Sequence, residues 1–146
     1  MERTVPNITI EPFFVDESVL IRPATFETSE LEPIHPTDLN CKNEIYWNWG
    51  PSFQRWHDRW WDPIRSSYIP VDIPGLIFSL MHDSRQWSVV PKSVAKTFVK
   101  SGRFVIQQLL DPPPERVCYK IFHKHPKPTI KKSLDILNQY MNLISQ

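Results

Sequence analysis

Apolar residues in this chain fall into short runs separated by prolines, not into long periodic stretches. From Val5 to Val15, and again from Val19 to Ile21, β-branched and aromatic residues favour extended backbone; Pro6 and Pro12 confine the first run to a sheet edge. Residues 23–44 lose the pattern, turn polar and acidic, and carry Pro23, Pro33 and Pro36, which reads as a loop or linker. Gly50-Pro51 then opens the first helix, because proline suits a first turn where its missing donor is not needed. Asp62-Pro63 closes it, since the residue before proline is pushed out of helical geometry. At ~100° per residue, Phe53, Trp56 and Trp60 share one face with His57 and Trp61 on its flank. Gln54, Arg55, Asp58, Arg59 and Asp62 take the other side.

Residues 64–74 read as extended, and residues 74–82 as a second short helix with Leu76, Ile77, Leu80 and Met81 as its stripe. A short strand follows at 86–90. Residues 92–101 form a third helix, with Val94, Ala95, Phe98 and Val99 on one face, Lys92, Lys96 and Lys100 on another, and Gly102 as its stop. Residues 103–110 make an apolar strand, Asp111-Pro112-Pro113-Pro114-Glu115 a turn, and residues 116–124 an alternating return strand, so that the two pair as a hairpin. From about Thr129 the last helix carries Ile130, Leu134, Leu137, Met141 and Ile144 at steps of four and three, widened by Ile136, Tyr140 and Leu143. The sum is a small α+β domain, a hairpin packed on several helices, over residues 45–146. An acidic, proline-rich arm with short strands precedes it at 1–44.

Composition narrows the chemistry. With 146 residues the chain has room for one domain. Three isolated glycines against 15 prolines leave no glycine-rich loop of the kind that wraps phosphates. Cys41 and Cys118 form no pair with metal or redox spacing. No charged-then-apolar leader and no apolar run near ~18 residues is visible, which reads as an intracellular protein of the cytoplasm or nucleus. The net charge of +1 conceals an asymmetry: residues 1–44 carry nine acids against three Lys/Arg, and residues 45–146 seven acids against fourteen.

Candidate chemistry is sparse. His57 and Asp58 are adjacent on a helix and point about 100° apart, so they cannot act as a relay. No catalytic set, metal set or cofactor motif stands out, and the expectation is a protein that is not an enzyme and needs no cofactor. The basic residues are more coherent: Lys92, Lys96, Lys100 and Arg103, then Arg116, Lys120 and Lys124 on the hairpin. Helix, short connection, basic helix, strand, turn, strand resembles the element order of a winged helix, with the hairpin as wing. That implies nucleic acid as partner; an anionic membrane surface would suit the same charges. Trp47, Trp49 and Trp61, which cannot all join the Phe53 face, read as an exposed protein interface, together with Leu137, Met141 and Ile144 on the last helix. The leading expectation is therefore a non-enzymatic interaction and assembly protein, self-associating or part of a larger complex, of the small viral accessory or matrix type. The winged-helix-like nucleic-acid binder is the alternative. No small-molecule substrate is indicated.

Overall fold

The structure, a computed structural model, describes residues 6–24 and 31–144, with side chains up to residue 140. Two compact units are present: one from Met1–Val15 and Arg116–Gln146, the other from Asp16–Glu115.

The central unit is organised around strand β2 (Ser18–Pro23), every residue of which is buried. It lies between β5 (Ser88–Pro91) and β6 (Phe104–Gln107), antiparallel to both, with Leu20 opposite Val89 on one side and Gln107 on the other. The prolines Pro23 and Pro91 sit at the ends of their strands, where a lost donor costs the ladder least. Alternation along β2 then divides the core. Val19 and Ile21 join Ile45, Ile77, Phe78, Met81, Val90, Ala95 and Phe104. Leu20 joins Leu39, Tyr46, Phe53, Trp56, Trp61, Trp87, Val89 and Leu109. Burying each large aliphatic side chain contributes ~1.5–3 kcal/mol.

The short parallel pair β3 (Ile45–Tyr46) and β4 (Ile69–Pro70) extends this unit. Helix α1 (Pro51–Trp60) starts after Gly50, whose φ of +137° few other residues adopt, and stops at extended Trp61. Helix α2 (Gly75–Leu80) buries Ile77 and Phe78. Helix α3 (Lys92–Val99) is tied at its start by Asp16, whose carboxylate accepts from the Ser93 backbone N–H at 3.1 Å and its hydroxyl at 2.5 Å. Gly102, at φ +77°, ends it.

The terminal unit holds β1 (Ile8–Asp16, whose last residue falls in the central unit), its partner β7 (Arg116–His123), and helix α4 (Pro128–Ile144). On β7 the alternation is real: Cys118, Lys120 and Phe122 are half-buried, whereas Val117, Tyr119 and Ile121 are exposed.

Two expectations need correction. The strands at 104–107 and 116–123 do not form a hairpin; β6 pairs with β2 and β7 with β1. Three successive prolines between them fix φ and supply no N–H, which suits an extended passage and not a tight reversal. Without the hairpin there is no wing. Nor do residues 1–44 stand apart as an arm before a domain at 45–146: they supply β1 to one unit and β2, the centre of the main sheet, to the other. The coarser expectation, a small mixed α+β protein, holds.

Candidate functional site

In the terminal unit, β7 ends at His123 and α4 begins at Pro128, so a strand end and a helix start lie close in the chain. Along α4, Lys131, Leu134, Asp135 and Asn138 recur at the spacing of one helical face. That face and the strand end enclose a cavity of about 520 Å³, also lined by Glu11, Lys120, Phe122, Lys124, His125 and Pro126. The volume falls in the range of small-molecule sites, ~300–1,000 Å³.

Lys120 is the best-held charge here. Its ammonium donates to Asn138 Oδ1 at 2.7 Å, lies 3.3 Å from Glu11 Oε2, and sits over the Phe13 and Phe122 rings at 5.9 and 5.8 Å. Lys124 and Lys131 make no ion pair among the described residues. Glu11 is taken up by Lys120, which leaves Asp135 as the other carboxylate against the remaining ammonium groups. Chemically, the cavity can hold a small organic anion, with Phe122, Pro126 and Leu134 as its apolar lining.

The other expected cationic residues are elsewhere. Lys92 pairs with Glu17 at 3.1 Å, Lys96 and Lys100 are exposed on α3, and Arg103 lies over the Phe104 ring at 5.4 Å, all in the central unit. Arg116 is exposed at the start of β7. Four of the seven lie in the central unit and three in the terminal unit, and of these Lys120 and Lys124 line the cavity. Lys131 and His125, outside the expected set of seven, join them there; the helical spacing from Lys131 to Asn138 is the sequence signal for it.

The tryptophan interface is also corrected. Trp61 is buried at 7% exposure beside Trp56 and Trp87. Trp49 is half-buried and donates its indole N–H to the Val89 carbonyl at 3.0 Å, and Trp47 packs on the other core cluster. These side chains fill space around the sheet and form no exposed patch. Of the expected helix contacts, Leu137 is exposed, and the side chains of Met141 and Ile144 lie outside the described residues.

His57 does find a carboxylate, but not Asp58. Its Nε2 lies 2.7 and 2.9 Å from the two oxygens of Glu44, with both residues 1% exposed. Tyr46, Phe53, Trp61 and Tyr68 surround the imidazole. Burial pushes the Glu44 carboxyl above its ordinary range, and the His57 hydrogen bond and charge pull partly back. Tyr46, which donates to Gln54, is pushed far up, first by burial and then by Tyr68, Glu44 and Asp58. Sealed from solvent, the Glu44–His57 pair has the setting of a structural element. Among the described residues no group of three or more His, Cys, Asp or Glu is placed to hold a metal ion.

No protein-family model and no curated protein matches the chain. Solved structures do. The chain has the fold of LysR-type regulatory domains. It is similar to the reduced OxyR regulatory domain from Pseudomonas aeruginosa, at 16% identity and a TM-score of 0.65, covering 100% of this chain and 69% of that one. The effector-binding domain of a BenM variant matches at 16% identity and a TM-score of 0.63, covering 99% and 69%. Full-length CbnR, a LysR family transcriptional regulator, matches at 16% and 0.60, covering 94% of this chain but 49% of that one. The chain thus spans about two thirds of the isolated domains and half of the full-length regulator.

This likeness overturns the leading functional expectation. A chain with the fold of regulatory domains along its whole length is not the small viral accessory or matrix-type assembly protein that composition suggested. It also overturns the alternative, since the matched fold is not a winged helix and the hairpin that would have made the wing is absent. No helix among the described residues is long and apolar enough to cross a membrane.

Proposed function

We propose that this chain is a ligand-sensing module of the regulatory-domain type, binding a small organic anion, with no catalytic step of its own. The observation that carries the reading is the fold: the whole chain superimposes on domains described as regulatory or effector-binding. The lysine-lined cavity supports the choice of an anion. Lys124 and Lys131 supply charge, and Lys120, fixed by Asn138 and Glu11, gives the site a rigid edge. Nucleic acid, where it is a partner at all, belongs in this reading to other parts of an assembly; full-length CbnR has been solved with its target DNA.

Titration calorimetry of the intact chain against small mono- and dicarboxylates and phosphate esters tests the proposal. Saturable binding of at least one, weakened about tenfold by Lys124→Ala and again by Lys131→Ala, is expected. Absence of binding across the panel at millimolar ligand would refute it.

A further inference from the structure

The central unit carries a second notch, unrelated to the lysine cavity, of about 400 Å³ between α1 and the turn at 111–112. Its walls are Trp56, Arg59, Trp60, Asp111 and Pro112. The turn is held unusually firmly. Asp111 adopts a left-handed φ of +46°, its carbonyl accepts the Trp56 indole N–H at 2.7 Å, and its carboxylate Oδ2 lies 3.0 Å from His35 Nε2. His35 is fixed in turn by the Thr37 hydroxyl at 2.8 Å and meets the Trp60 ring edge-on at 5.0 Å. Aspartate tolerates the left-handed region, so the turn itself is not costly. What the network achieves is to fix a carboxylate, one oxygen of which stays clear of His35, on a residue that lines a space walled by indole rings.

Arg59 faces the same space from α1. No ion pair joins it to Asp111, and none joins it to any other acid among the described residues. Facing opposite charges separated by an aromatic-walled gap match a molecule that carries both charges itself. The guanidinium fork fits a carboxylate bidentately, and a fixed carboxylate attracts an ammonium, including through cation–π contact with the adjoining indoles.

We infer that this notch binds a zwitterionic α-amino acid with an apolar or aromatic side chain. The ligand carboxylate lies on Arg59, its ammonium on Asp111, and its side chain against Trp60 and Pro112. A singly charged analogue would leave one of the two protein charges without a counterpart on the ligand. The site is independent of the anion cavity in the terminal unit.

The experiment is a tryptophan-fluorescence titration of the intact chain, checked by calorimetry, with phenylalanine, its deaminated analogue phenylpropionate and its decarboxylated analogue phenethylamine. Phenylalanine is expected to bind saturably and to shift the emission, because Trp56 and Trp60 line the notch. Each singly charged analogue should bind at least about tenfold more weakly. Arg59→Gln and Asp111→Asn should each remove binding while leaving the circular dichroism spectrum intact. Lys124→Ala with Lys131→Ala should leave it unchanged, so that failure here is distinct from failure of the anion reading. No saturation with phenylalanine at millimolar concentration would overturn the inference. So would equal binding of either analogue, retention of binding by Arg59→Gln, or its loss in the lysine double variant.

Discussion

Glu44 and His57 lie 13 positions apart in the sequence, yet they make a polar contact buried deep in the central unit. A buried polar group left without its hydrogen-bond partner is expensive, so removing one member should cost more than the pair contributes. His57→Ala removes that partner together with a fully buried ring and is expected to lower stability by ~3–5 kcal/mol, read from the urea midpoint. A second consequence concerns pH. The Glu44 carboxyl is raised above its ordinary value of 4.5 in the folded chain, so the folded state holds a proton that the unfolded state releases. That contribution is fully present below the unfolded value and lost as pH rises through the folded one. As pH rises from the ordinary value of 4.5 through the raised folded one, the native chain should therefore lose more stability than Glu44→Gln does; parallel pH profiles would contradict this. The sequence drew attention to His57 but offered Asp58 as partner, because proximity along the chain was the only geometry available. Glu44 stood among the acids of an apparent linker, and nothing local marked it as buried.

Helices and strands were largely legible, and proline is the reason. Gly50-Pro51, Asp62-Pro63 and Gly102 bound α1 and the end of α3 in the structure much as they do in the sequence. Which face of α1 is buried was read less well: Trp61, placed on the flank, is buried, and Trp60, placed in the core, is half-buried. The turn after α1 rotates Trp61 back towards Trp56 and Trp87. Trp61→Ala is accordingly expected to cost ~3–5 kcal/mol in urea unfolding, and the half-buried Trp47→Ala distinctly less. An exposed-patch role would give small values for both. Strand pairing was the larger miss. Neighbouring strands with a short connection suggested a hairpin, but each finds its partner near the start of the chain, β6 with β2 and β7 with β1. Such long-range pairing leaves no periodic trace, whereas the wholly buried β2 can be recognised afterwards in the run Ser18–Pro23.

At the scale of the whole molecule, the chain leaves the terminal unit after β1, builds the central unit, and returns with β7 and α4. A division at residue 44, suggested by the change in charge, followed composition where the fold follows strand pairing. The likeness in fold was hidden for a related reason. Identity to the matched regulatory domains is 16%, so the resemblance is carried by packing and connectivity and not by motifs. Of the expected basic residues, Lys120 and Lys124 line a cavity that α4 completes with Lys131 and Asn138. The most direct test is a ¹⁵N-amide NMR titration of the intact chain with the tightest-binding anion from the calorimetric panel. Saturable shifts concentrated at the end of β7 and the first turns of α4, and lost in Lys124→Ala with Lys131→Ala, are the expected result. No saturable shift, or shifts that spare those residues, would contradict an anion-sensing site in the terminal unit.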